Sequence, residues 1–334
     1  MAKKALQNQL VEKDLPFLTE KIQRAPFSLL KGKSNYACQL RFDELQQTDG
    51  FQHLPVFEQS RFADWMRTSE RHDLAEYTPF FPLESGVRIS ECVRKSCPAS
   101  TRCGYVRTRD RAMDARVLVV NHALLAYDLS VGGGKILGPY DALVIDEGHQ
   151  APKYFREAYT CRIHNKQPDS LKKLLEGTDL IVPETLDQSV TTFLNRLPDR
   201  GRVFQNNIVV ENAMAIIRDL ARLKQQFINE GVWSETTSQA DEEDAGSMRD
   251  PKELSRLRAA VSVTQRMLQA CEVCIDKLDL KLNEHGEELP SPQDYVTYAE
   301  TRQSHGHQHK EFVATPIEIG PFVGPALKRV ETVI

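Results

Sequence analysis

Four cysteines constrain this chain more than any other feature. Cys38 stands alone, and Cys92, Cys97 and Cys103 follow in one short segment, separated by four residues and then five. Arg94, Lys95 and Arg102 lie among them, and Pro98 directly follows the middle one. Seven cysteines, an odd number, behind an N-terminus with no apolar signal-peptide core point to a reducing compartment, where clustered thiols bind metals rather than pair as disulfides. A zinc site usually shows ligands in close pairs, C-x2-4-C twice. One remote thiol and three spread by C-x4-C-x5-C suit an iron–sulfur cubane better. Cys161 has no comparable neighbours and reads as structural. Cys271 lies on a helical apolar stripe and reads as core, and Cys274 makes only a lone C-x-x-C with it.

The charge pattern adds a partner. The chain has 334 residues with 43 Lys and Arg against 47 Asp and Glu, a net charge of −4, so it is no general polycation. Residues 88–116 hold eight basic groups against three acidic ones, a local excess of +5 around the cysteines. Such a patch suggests nucleic acid. No apolar run reaches the length of a membrane span, so the expected location is the cytoplasm with no membrane partner.

Two short apolar runs, Arg116–Val120 and Ala142–Ile145, read as buried strands of a parallel sheet. The second ends in Asp146-Glu147-Gly148-His149. An apolar strand that delivers Asp-Glu at its end is the Walker B arrangement, in which Asp146 would hold Mg2+ and Glu147 would orient and deprotonate the attacking water; the other reading is an acidic turn capping the next helix. Gly132-Gly133-Gly134 between the strands reads as a flexible connector. Gly32-Lys33-Ser34 mimics the end of a P-loop, but Phe27 stands where its first glycine belongs, so it is rejected as a nucleotide site.

From Cys161 to His285 the pattern turns helical. Asp250-Pro251 with Glu253 starts a long helix whose stripe runs from Leu254 to Leu282, and 212–230 forms a second. Residues 235–250 read as an acidic loop, and His305, His307 and His309 as a solvated turn between extended segments. Tyr36 and Tyr105 could stack on bases or pack around the cysteines.

Together these residues resemble the DinG branch of the XPD-like superfamily 2 DNA helicases. Ala5–Leu10 with Lys13–Pro16 resembles the Ia segment, Leu30–Tyr36 then Cys38 the entry to the cluster domain, Val119–Leu125 the junction after it, and Asp146–His149 the DEAH-type box. The resemblance implies an α/β fold: a partial RecA-like parallel-sheet motor domain with an inserted 4Fe–4S cluster domain and an inserted, mainly helical arch domain. The implied domains are 1–35 (start of the motor), 36–112 (cluster), 113–155 (motor with the DEAH-type box), 156–310 (arch) and 311–334 (return strand into the motor). It further implies 5′→3′ unwinding of DNA in repair or replication, ATP and Mg2+ as cofactors, and Cys38, Cys92, Cys97 and Cys103 as cluster ligands. His149 would couple the ATP site to DNA, and Arg94, Lys95, Arg102 and Arg107 would contact phosphates of single-stranded or forked DNA. The family's P-loop and second motor domain have no counterpart here, so the expectation is a fragment, inactive alone, or a chain completed by a separately encoded remainder. The alternatives are a non-hydrolysing iron–sulfur DNA-binding module and a zinc-stabilised nucleic-acid-binding protein.

Overall fold

The computed structural model describes residues 13–21, 25–48, 55–77, 84–89, 92–94, 97–233, 250–275, 294–304 and 307–334. These divide into two units, one drawn from Met1–Leu125 and Asp241–Pro251, the other from Ala126–Ala240 and Lys252–Ile334. Most of the Ia-like stretch, the acidic loop apart from Asp250, the C-terminal part of the long stripe and His305 lie outside the described residues.

In the first unit the chain runs α1 (Leu15–Lys21), β1 (Phe27–Leu29), α2 (Gln39–Gln47), α3 (Val56–Thr68), α4 (Glu84–Val87), α5 (Gly104–Met113) and β2 (Val117–Val119). β1 and β2 pair in parallel, Phe27 opposite Val117 and Leu29 opposite Val119. Parallel strands need a long crossover, and here the crossover is the whole cysteine-bearing segment. That segment has its own small core of Ala37, Phe42, Phe62, Met66, Leu74 and Val87. Phe62 and Met66, one turn apart on α3, supply its centre, and Trp65 and Tyr77 pack on Phe62 at 5.4 and 5.2 Å between ring centroids.

In the second unit, α6 (His122–Ser130, entered from the first) precedes β3 (Ala142–Leu143), α7 (Ala151–Tyr159), β4 (Cys161–His164), α8 (Gln167–Leu175), α9 (Thr185–Arg196), β5 (Gly201–Arg202) and α10 (Asn207–Asn229). Then follow α11 (Pro251–Ile275), β6 (Tyr295–Ser304), β7 (His307–Pro316), α12 (Gly320–Lys328) and β8 (Thr332–Val333). α10 starts earlier than its apolar pattern suggests, because the Asn206 side chain accepts the Val209 amide at 3.0 Å and caps it. Its buried stripe of Val209, Ala213, Ile216, Leu220, Leu223 and Phe227 joins a core with Phe193, Leu257, Met267 and Phe312.

Several expectations need correction. The helices read in this region are present, and the extended segments read at 295–299 and 312–319 fall in β6 and, as far as Pro316, in β7. What the reading lacked is that these two join β4 and β5 in one four-stranded antiparallel sheet, in the order β4-β7-β6-β5. The boundary placed at 310/311 falls inside β7, whose Phe312 pairs with both Ile163 and Ala299. His309 is not in a solvated turn; it sits in β7 with its Nε2 2.8 Å from Glu311 Oε1. Within the runs 116–120 and 142–145 only Val117–Val119 and Ala142–Leu143 form strands, and not buried ones: Val117 and Ala142 are exposed. Each belongs to a two-stranded sheet, β1-β2 or β3-β8, and two strands cannot cover both faces of each other.

The triglycine, read as a flexible connector, forms a turn that the Asp128 carboxylate hydrogen-bonds. Gly132, Gly133, Gly134 and Gly138 take φ of 109°, 73°, 73° and 79°, which glycine adopts without Cβ strain. The fully buried Asp128 carboxylate gathers the turn. It accepts the amides of Gly134 (2.7 Å), Ile136 (2.7 Å) and Leu137 (3.1 Å) and the hydroxyl of Tyr140 (3.2 Å). This turn leads directly into β3.

Candidate metal centre and DEAH-type loop

Two of the four cysteines occupy helix N-caps. Cys38 precedes α2 and Cys103 precedes α5, both with extended backbone (φ −84° and −81°). A helix N-terminus is where a thiolate is best stabilised. Backbone amides also point at the sulfurs. The Arg94 N–H donates to Cys92 Sγ at 3.3 Å, and the amides of Arg41 and Ala99 serve Cys38 and Cys97 in the same way.

The four thiols share one electrostatic neighbourhood. Burial pushes the Cys92 thiol up to about 11, with repulsion from Cys103, Cys38 and Cys97 adding to it. Burial also raises Cys38, which senses Cys103 and Cys97, and Cys97, which senses Cys103. Among the described residues, no group of three or more His, Cys, Asp or Glu side chains is gathered as one metal ion requires. The other three cysteines are buried core residues, as their sequence context suggested.

The segment around Cys38 is held from both sides. Tyr36 bridges to Asp73 and Ala37 to Arg88 in antiparallel fashion, and the Cys38 amide donates to Val87 O at 2.7 Å. Tyr36 and Tyr105 are both buried with ring centroids 5.1 Å apart, so they pack on each other. Lys31 Nζ meets Asp73 Oδ2 at 2.5 Å in the interior. Gly32-Lys33-Ser34 opens a three-residue 3-10 turn rather than a phosphate loop leading into a long helix.

His72 is a functional candidate that sequence reasoning missed. Burial first, then the Arg107 charge, depresses its pKa to about 4, against about 6.5 in an unfolded chain. The unfolded chain therefore takes up the proton first, and stability is lost as pH falls from about 6.5 toward 4. A gap of that size corresponds to roughly 3 kcal/mol. Urea unfolding followed by Trp65 fluorescence in a Trp233→Phe background should show this loss between pH 7 and 4.5. His72→Asn should flatten it; an unchanged pH slope in that variant would contradict the assignment.

The basic residues separate on inspection. Arg94 is only 6% exposed among the described residues, with φ of 51°. Local composition shows that a charge is present but not which side of it is covered. Arg102 is 63% exposed and pairs with Asp43 at 2.9 Å. Arg107 donates through Nε and Nη2 to the Glu70 carbonyl at 3.2 and 2.9 Å. Lys95 lies outside the described residues.

In the second unit, β3 delivers Asp146 and Glu147 to solvent. β3 is aligned by β8: Ile334 N–H donates to Leu143 O at 2.9 Å, and Ile145 N–H to Ile334 O at 2.8 Å. Asp146, Glu147 and His149 are all exposed. Glu147 takes φ 52° and ψ 42°, a left-handed conformation that costs a non-glycine residue about 1–2 kcal/mol. His149 Nδ1 lies 3.3 Å from Glu147 Oε2. The result is two exposed carboxylates in sequence with an imidazole beside the second.

No family model matches the chain. Among curated proteins it is 33% identical over 176 residues to the ATP-dependent DNA helicase YoaA of Escherichia coli (strain K12), covering 48% of this chain and 27% of that protein. It is 30% identical over 174 residues to YoaA of Haemophilus influenzae (strain ATCC 51907 / DSM 11121 / KW20 / Rd), with the same coverage. To the ATP-dependent helicase DinG of Mycobacterium tuberculosis (strain ATCC 25618 / H37Rv) it is 32% identical over 170 residues, covering 44% and 26%. The chain resembles DinG-type helicases, and it spans about a quarter of the length of these relatives.

Proposed function

We propose that this chain is the cluster-bearing portion of an ATP-dependent DNA helicase of the DinG type. The observation that supports this is four thiols within electrostatic reach of one another, two at helix N-caps and three served by backbone amides, in a chain that resembles named helicases. Cys38, Cys92, Cys97 and Cys103 would hold a 4Fe–4S cluster. Four thiolates divided among four irons stand farther apart than four around one zinc ion, whose sulfurs all lie about 2.3 Å from the metal. Bound there, the cluster would supply a rigid anchor for residues 92–103 and a redox-active centre. The protein's own residues supply the amide donors and the two helix N-termini that stabilise the thiolates.

Asp146 would hold the Mg2+ of ATP through water, Glu147 would orient and deprotonate the attacking water, and His149 would link that site to DNA. Their exposure leaves room for a metal–nucleotide complex. Residues 36–112 would form the cluster domain, and the helices with the antiparallel sheet the arch. Arg94, Lys95, Arg102 and Arg107 would contact DNA phosphates, and the exposed Arg102 leads that set.

The anaerobically purified, iron-loaded chain should bind single-stranded DNA with an affinity that falls as salt rises. Arg102→Ala with Arg107→Ala should lower the slope of log K against log salt by about 0.7 for each phosphate that is no longer neutralised. DNA-stimulated ATP hydrolysis is expected only when the chain is joined to the rest of the motor, and Asp146→Asn should then abolish it. Absence of DNA binding at low salt would reject the proposal. Stimulated turnover by the chain alone would reject its assignment as a portion of the motor.

A further inference from the structure

One residue ties together the two cysteine segments of the first unit. His72 is 1% exposed and sits at φ 56°, in the left-handed region. Its carbonyl accepts the Ala37 amide at 2.9 Å, directly before Cys38. Its ring Nδ1 lies 3.2 Å from the Gly104 amide, directly after Cys103. The other ring nitrogen, Nε2, is 3.0 Å from Met66 O. An amide can only donate and a carbonyl only accept, so Nδ1 is the acceptor and Nε2 carries the proton. The His72 amide in turn donates to Ser69 Oγ at 2.9 Å, so every polar group of the residue is engaged.

Gly104 completes the contact. A Cβ at that position would lie 2.4 Å from the Arg71 carbonyl carbon, 2.5 Å from its oxygen and 2.7 Å from His72 Cγ. Only glycine lets α5 start so close to residues 71 and 72, and the start of α5 is what places Cys103.

We propose that His72 and Gly104 form a positioning pair that sets the spacing between Cys38 and Cys103, and so controls how firmly the four-thiol centre holds its cluster. The inference rests on the cluster assignment made above. Residues that orient metal ligands without touching the metal alter retention by roughly 10- to 100-fold when replaced.

The test uses the iron-loaded chain and three substitutions. In His72→Asn, the side-chain oxygen can stand where Nδ1 stands and accept the Gly104 amide. In His72→Gln, the amide group reaches the place of Nε2 and loses Gly104. Gly104→Ala pushes α5 away. Iron per chain, visible absorbance and the rate of iron loss to a ferrous chelator are measured beside the unfolding midpoint of each iron-free variant. The expected result is loss about tenfold faster in His72→Gln and Gly104→Ala, with His72→Asn close to the parent. Loss rates equal to the parent in His72→Gln and Gly104→Ala overturn the pair. Faster loss that merely tracks a lowered iron-free midpoint, with His72→Asn no better than His72→Gln, also overturns it. A Cys97→Ser control separates the two levels: if that variant keeps its iron, the cluster assignment itself has failed.

Discussion

Cys97→Ser should strip most of the iron from the protein and bleach its visible absorbance. The hydroxyl is a harder and far less acidic ligand than the thiol, so it replaces a soft metal–thiolate bond poorly. Cys97 lies on a tight turn: its amide donates to Arg94 O at 3.0 Å and its carbonyl accepts the Ser100 amide at 2.9 Å. The turn that presents Cys97 therefore connects to the buried Arg94, and runs on to Cys103 through the Cys103 amide on Ser100 O at 3.1 Å. Loss of one ligand should consequently loosen its neighbours, and limited proteolysis should open the segment 92–103 before the second unit is touched. Cys271→Ala provides the contrast, because Cys271 is buried in the helical core of the second unit. It should lose some stability and no iron. Full iron in Cys97→Ser would refute the ligand set, and zinc without iron or sulfide in the parent protein would replace the cubane by a single-ion centre.

The second large effect is expected at Asp128. Its carboxylate has no solvent exposure and receives three backbone amides and the Tyr140 hydroxyl. Asp128→Ala leaves these donors, one buried and three part-buried, without an acceptor, each costing about 1–3 kcal/mol if it cannot reach water. The turn can open to hydrate some of them, so a total of about 3–5 kcal/mol is expected. The four left-handed glycines of this turn have large conformational freedom in the unfolded chain, which makes the turn depend on the carboxylate rather than on its own stiffness. Asp128→Asn should fall between the two, since one oxygen still accepts while the new amide faces donors. Because the turn feeds β3, the carboxylate pair after that strand should also lose order, visible as faster amide exchange at 142–147. A denaturation midpoint for Asp128→Ala within about 1 kcal/mol of the parent would mean that the turn is not held as described.

Some of this was readable along the chain and some was not, and the division follows the range of the forces. The cysteine spacing, the strand ending in Asp146-Glu147, and the helical stripes of α10 and α11 are local patterns, so residues a few positions apart suffice to reveal them. The burial of Arg94, the turn around Asp128 and the pairing of the extended segments at 295–299 and 312–319 with β4 and β5 were not readable. Each depends on which surface covers a residue or which distant strand lies beside it, as when β4 pairs with β7 about 150 residues on. His72 is the sharpest case. Besides its near neighbours Ser69 and Met66 it bonds to Ala37 and Gly104, 35 and 32 residues away, and those two contacts leave no mark in the local sequence. By itself the sequence determined which chemical groups this protein has to work with: four soft thiols, a carboxylate pair at a strand end and a basic segment. Only the tertiary structure decided which of the described arginines are exposed and which histidine bonds to both cysteine segments, because burial and hydrogen-bond pairing are made between segments that the chain alone keeps far apart.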